Sequence, residues 1–136
     1  CPVDCMRRVI CFDRAAFTAY PDAATELDGE PDFGSRIGGA ALSLNNFPSS
    51  VALDGAANVY VSDTGNNRAL GFTVNTPISS SATLVMGQAL LSGTNPNANG
   101  ISREYVNGLR AVAADRDGRI VVADSDNNRV LIYFPQ

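Results

Sequence analysis

The chain has 136 residues, 45% hydrophobic and 18% charged, which fits one domain with enough apolar material for a core. A net charge of −4 and a pI near 4.6 argue against nucleic acid, whose phosphates require clustered basic residues; the closest basic pair is Arg7-Arg8. No apolar run approaches the roughly 18 residues of a membrane-spanning helix.

The N-terminal stretch CPVDCMRRVICF places its basic residues after the start with no long apolar region behind them, so it is not a signal peptide. With no initiating Met, the expectation is a piece of a longer protein, in which any targeting sequence would lie upstream of Cys1. Cys1, Cys5 and Cys11 form an odd, clustered set, which gives no disulfide framework. Without His or a CxxC pair they also give no zinc spacing, and Cys5 and Cys11 are expected to be structural or incidental. RRVICF (7–12) and AATELDGE (23–30) read as short strands. The alternating acids Glu26, Asp28, Glu30 and Asp32 read as the solvated face of an edge strand.

Residues 32–47 lack strand character. SSVALD, NVYVSD, RALGFTV and ATLVMG then read as strands of Val, Ala, Leu, Tyr and Phe, separated by the turn-rich clusters DGAAN, TGNN and TPISS. Residues 90–108, rich in Asn, Gly and Ser, again lack strand character and occupy the same place in the pattern as 32–47. Both stretches are expected to connect the fourth strand of one unit to the first of the next, on one shared rim. Long loops so placed are where function is expected to reside.

The reason for this regularity is an internal repeat. SSVALDGAANVYVSDTGNNRALGF (49–72) aligns without a gap to RAVAADRDGRIVVADSDNNRVLIY (110–133), at an offset of 61 residues. AATELDGE resembles SATLVMGQ (81–88), and RRVICF resembles NRALGF and NRVLIY. Two strands, then four, then three are predicted. Strands of about five residues at this spacing indicate an all-β sandwich, barrel or propeller, and four strands per period favour propeller blades. A four-stranded sheet cannot bury both faces alone and must stack on a neighbouring copy.

The hexamers DTGNNR (63–68) and DSDNNR (124–129) share their Asp, both Asn and their Arg. Asp63, Asn66, Asn67 and Arg68, with Asp124, Asn127, Asn128 and Arg129, are read as the corner between the second and third strands. Asp63 is expected to accept backbone N–H bonds as in an Asx-turn. Gly65, Asn66 and Asn67 suit the left-handed conformation of a tight reversal. Arg68 is expected to fold back on Asp63 or to reach loop carbonyls of the adjoining unit. A site for one ligand needs to occur once, whereas a corner is needed in every unit, so the repetition favours scaffolding.

The phrase running from Val51 to Leu70, and again from Val112 to Leu131, closely resembles the NHL repeat, a β-propeller blade unit. The following LVMGQ with its long insertion is similar to the bacterial variety with blades of about 60 residues. The family's Pro before the first strand is present as Pro48 and replaced by Leu109 in the next copy. The resemblance implies an incomplete propeller of two to three blades within a single partial domain, 1–136. Residues 1–30 would end one blade, 48–88 form a full blade, and 109–136 form most of a third. It further implies a parent of several blades, commonly six, in an extracytoplasmic or secreted bacterial setting. The implied role is a non-enzymatic scaffold for a protein or small ligand, without cofactor, whose ring is closed by further blades or other chains. The alternative is a piece of a propeller lyase or hydrolase with its catalytic residues in other blades.

Within these residues the enzymatic signals are weak. No GxSxG occurs, the absence of His removes Ser-His-Asp and Cys-His arrangements, and no phosphate-cradling GxxxxGK[ST] loop is present. DRDG (115–118) has some likeness to a calcium loop, but its fifth position is Arg119, expected inside a strand, and the bidentate Glu is missing.

Overall fold

The computed structural model describes residues 9–12, 24–27, 48–73 and 82–135. They form nine strands in three antiparallel sheets of two, four and three strands, each sheet ordered as in the sequence. The first sheet pairs β1 (Val9–Phe12) with β2 (Ala24–Leu27). The second runs β3 (Pro48–Leu53), β4 (Val59–Asp63), β5 (Arg68–Phe72) and β6 (Leu84–Met86). The third runs β7 (Leu109–Ala114), β8 (Ile120–Asp124) and β9 (Arg129–Tyr133). No α-helix occurs among the described residues; single 3-10 turns lie at Thr64–Asn66 and Ser125–Asn127. No described helix is long and apolar enough to cross a membrane.

The second and third sheets are copies in register as well as in sequence. The β3–β4 ladder breaks between Pro48 and Ser50, and the β7–β8 ladder breaks at the equivalent Leu109 and Ala111. The bulge therefore belongs to the repeat and does not depend on the proline. The protein is all-β, built from propeller-type blades. The loop expected at 32–47, Cys1, Cys5, Arg7-Arg8, Asp28, Glu30 and Asp32 lie outside the described residues. Glu26 lies in β2 opposite Ile10, and Cys11 lies in β1 opposite Thr25.

Period-two alternation sorts the apolar side chains of the second sheet onto two faces. Val59, Val61, Leu70 and Phe72 are buried on one face, with Val51 and Val85 packed against them. Tyr60, Ala69 and Met86 on the other face share a core with Val106, Leu109, Val112, Ile120 and Val122 of the following loop and sheet. Full burial of such side chains is worth about 1.5–3 kcal/mol each, so the two sheets hold each other mainly by this layer.

Hydroxyls fasten the same seam. Ser49 Oγ donates to Arg110 O at 2.6 Å, and Thr64 Oγ1 donates to Leu109 O at 2.6 Å. Gly55 lies against the next turn, where a Cβ would come within 2.3 Å of Arg116 O. Gly71 makes room for the Tyr60 ring, which a Cβ would meet at 3.2 Å. In the third sheet the equivalent cross-strand pair is Val121 and Ile132, so a large-and-small pair is replaced by two of middle size.

Candidate binding rim

Each hexamer occupies the corner between the second and third strands of its blade, and its residues divide the work. Asp63 Oδ2 accepts from Asn66 Nδ2 at 2.9 Å and from Arg68 Nε at 2.6 Å. Asp124 Oδ2 accepts from Asn127 Nδ2 at 2.9 Å and Arg129 Nε at 2.6 Å. The second Asn of each pair closes the turn: Asn67 has φ 52° and Asn128 has φ 53°, both left-handed. Their N–H groups donate to Thr64 O and Ser125 O.

Two local expectations are corrected here. The Asp63 carboxylate makes no capping bond to the turn backbone; its Oδ2 accepts from the Asn66 and Arg68 side chains. Only the second Asn is left-handed; Gly65 and Asn66 are not among the positive-φ residues. Asx-type bonding is found instead in the preceding hairpin turns. Asp54 Oδ1 accepts from Ala56 N and Asn58 N, and Asp115 Oδ1 from Asp117 N and Arg119 N, each at 2.9 Å. Arg119, expected inside a strand, precedes β8 and closes the hairpin turn: its N–H donates to Asp115 Oδ1 and its carbonyl accepts from Asp115 N.

The Asp63–Arg68 pair is completely buried, with both side chains at 0% exposure, whereas Arg129 is 25% exposed beside a buried Asp124. Such a pair is stable inside a protein only when the remaining donors are also satisfied. Those donors reach the connection between the blades. Arg68 Nη1 donates to Leu91 O; Arg129 Nη2 donates to Ser102 O and, at 2.8 Å, to Tyr105 O. The loop at 90–108 is therefore gripped near one end by the corner of the preceding blade and near the other by that of the following blade.

Asn67 reinforces this grip. Its Nδ2 donates to Thr94 O at 3.2 Å, and its Oδ1 accepts from Gly108 N at 2.9 Å. Gln88, also buried, donates from Nε2 to both Asn67 O and Asn95 O. Asn97 and Asn127 exchange paired amide bonds of 2.9 Å in each direction. Asp126 N and Asn107 N close the far end, donating to Asn107 O and Asp124 Oδ1.

Gln88, Asn97, Ser102 and Tyr105 escape sequence reasoning, since each has a partner 21 to 30 residues away. The Asn-rich composition of the loop is the one signal that points to them. Between these anchors the loop leaves Leu90 and Ile101 exposed, at 68% and 65%. From Leu90 to Ser102 it carries no charged residue. The result is a held, neutral, partly apolar surface on a rim.

Away from the rim, burial pushes the Asp54 carboxyl up, but bonds from Asn58, Tyr60 and the turn backbone outweigh it and hold it below its ordinary 3.8. Tyr60, desolvated and donating to Asp54 Oδ2 at 2.9 Å, is pushed up to about 12. Beyond this turn an open groove of about 520 Å³ runs between Tyr60, Met86, Tyr133 and Phe134. Among the described residues no three His, Cys, Asp or Glu side chains come together as metal ligands.

No curated protein matches the sequence. The NHL-repeat family model matches residues 107–133, from the end of the rim loop through β7, β8, the corner and β9.

Proposed function

We propose that the protein is a non-enzymatic NHL-type propeller scaffold that binds a protein or small ligand through the rim built by loop 90–108 and the two corners. The observation supporting this reading is the double grip. Arg68 and Arg129, from successive blades, hold one loop whose uncharged stretch displays Leu90 and Ile101 to solvent. A loop ordered before binding avoids the ordering cost that a mobile one incurs. On this reading Asp63, Asn66, Asn67 and Arg68, with Asp124, Asn127, Asn128 and Arg129, are scaffold and not ligand contacts.

The blades implied by residues 1–30, 48–88 and 109–136 are, in the same proposal, part of a larger ring closed by further blades or other chains. Support comes from the outer face of the third sheet. Val121, Val130 and Ile132 are exposed at 36%, 63% and 56%, although their counterparts Tyr60, Ala69 and Gly71 are buried. A photo-reactive residue placed at position 101 tests the binding role. It should capture a partner that an equivalent residue at 117, on the Asp115–Gly118 turn, does not. Equal capture at both positions contradicts the rim assignment.

A further inference from the structure

Two Asn-Gly pairs, Asn99-Gly100 and Asn107-Gly108, lie within one loop. Asn-Gly is the dipeptide in which the following backbone nitrogen is least shielded, because glycine has no Cβ. The two pairs are held in opposite ways. Gly108 N donates to Asn67 Oδ1, Asn107 N donates to Asp124 Oδ1, and Asn107 O accepts from Asp126 N. A Cβ on Gly108 would lie 2.4 Å from the Asp126 carboxyl carbon, so this pair is closely packed as well as bonded.

Asn99 and Gly100 are exposed, and nothing stands within 4 Å of where a Gly100 Cβ would be. The backbone restraint on the Gly100 nitrogen is a turn bond to Asn97 O, in an exposed turn. Asn99 Nδ2 rests 2.6 Å from the Tyr105 hydroxyl, a group able both to accept and to donate a proton. Tyr105 is itself fixed: it is buried, and its carbonyl accepts from Arg129.

We infer that Asn99 is a self-modification site, where Gly100 N closes on Asn99 Cγ and Tyr105 serves the departing nitrogen. The Gly100 N–H loses its proton to solvent and a new bond forms from that nitrogen to Asn99 Cγ. The bond between Asn99 Cγ and Nδ2 breaks, and the nitrogen leaves as ammonia after taking a proton from the Tyr105 hydroxyl, which water restores. A second water then opens the succinimide to aspartate or isoaspartate. The product carries a carboxylate on an otherwise uncharged stretch and, in the iso form, one extra backbone carbon between residues 99 and 100. The rim surface thereby acquires a time-dependent charge, whether or not it binds a partner.

The experiment is incubation of the folded protein at mildly alkaline pH, followed by peptide mapping that resolves aspartate from isoaspartate. Conversion is expected at Asn99, with Asn107 intact and Asn99→Gln silent. Tyr105→Phe should slow conversion by an order of magnitude. An Asn99 that stays intact while a free peptide of residues 95–104 converts would overturn the site. Equal conversion at Asn107 would also overturn it, since reaction would then follow general unfolding. An unchanged or faster rate in Tyr105→Phe would remove Tyr105 from the chemistry.

Discussion

Arg68 Nε lies 2.6 Å from Asp63 Oδ2 with neither side chain exposed, while the equivalent Arg129 pairs with Asp124 at the same distance but is 25% exposed. One interaction thus occurs twice in a single protein under different desolvation. Removing one partner of a buried pair strands the other charge, at a cost of about 3–5 kcal/mol. Partial solvent access relieves part of that cost. Arg68→Ala should therefore destabilise more than Arg129→Ala, by at least about 1 kcal/mol. Denaturant melts of the two variants check the order; equal losses would mean that burial does not set the cost.

The two turn-closing asparagines separate backbone from side-chain roles. Asn128 is exposed, and its left-handed conformation is one that glycine adopts at no steric cost. Asn67 adds bonds to Thr94 O and from Gly108 N. Asn128→Gly should be near neutral, whereas Asn67→Gly should lose about 1–2 kcal/mol for the two bonds. Comparable melting temperatures for both variants would contradict the bridging role of Asn67.

Ala57 has φ 65°, and the residue one repeat later, Gly118, has φ 80°. For an L-residue with a Cβ the left-handed region costs roughly 1–2 kcal/mol, offset in part by the greater unfolded freedom of glycine. Ala57→Gly should raise stability by up to about 1 kcal/mol. A lower melting point would show that the methyl group is packed to advantage.

The Asp54–Tyr60 bond gives opposite signs at the two ends of the pH scale. Tyr60 has its proton affinity raised from 10.0 to about 12, so its contribution is complete below pH 10.0 and is lost as pH rises toward 12. Asp54 is held below 3.8, so its contribution is present above that value and is lost as pH falls through the lowered one. Tyr60→Phe should flatten the alkaline limb and weaken the acid limb, read as melting temperature against pH. An unaltered alkaline limb would place the titration elsewhere.

The blades are legible in the sequence because β3 to β5 and β7 to β9 obey period-two alternation and restart after 61 residues. The corner's location is legible for the same reason. The separate roles of Asn66 and Asn67 are not, because both residues tolerate left-handed backbone and only the carboxylate of Asp63 distinguishes them. Ala57 carries no turn signal of its own; the clue is Gly118 at the matching position. The grip on the rim loop depends on pairings such as Arg129 with Tyr105, 24 residues apart, which no local pattern encodes.

Hydrogen exchange of loop 90–108 in Arg129→Ala, set against β4 as an internal reference, tests the gripping role of the corners most directly. Val106 N and Gly108 N, bonded to Gly87 O and Asn67 Oδ1, are the amides to follow. They should lose protection while the β4 amides keep theirs. Unchanged protection across the loop, in a variant that has lost stability, would contradict the account.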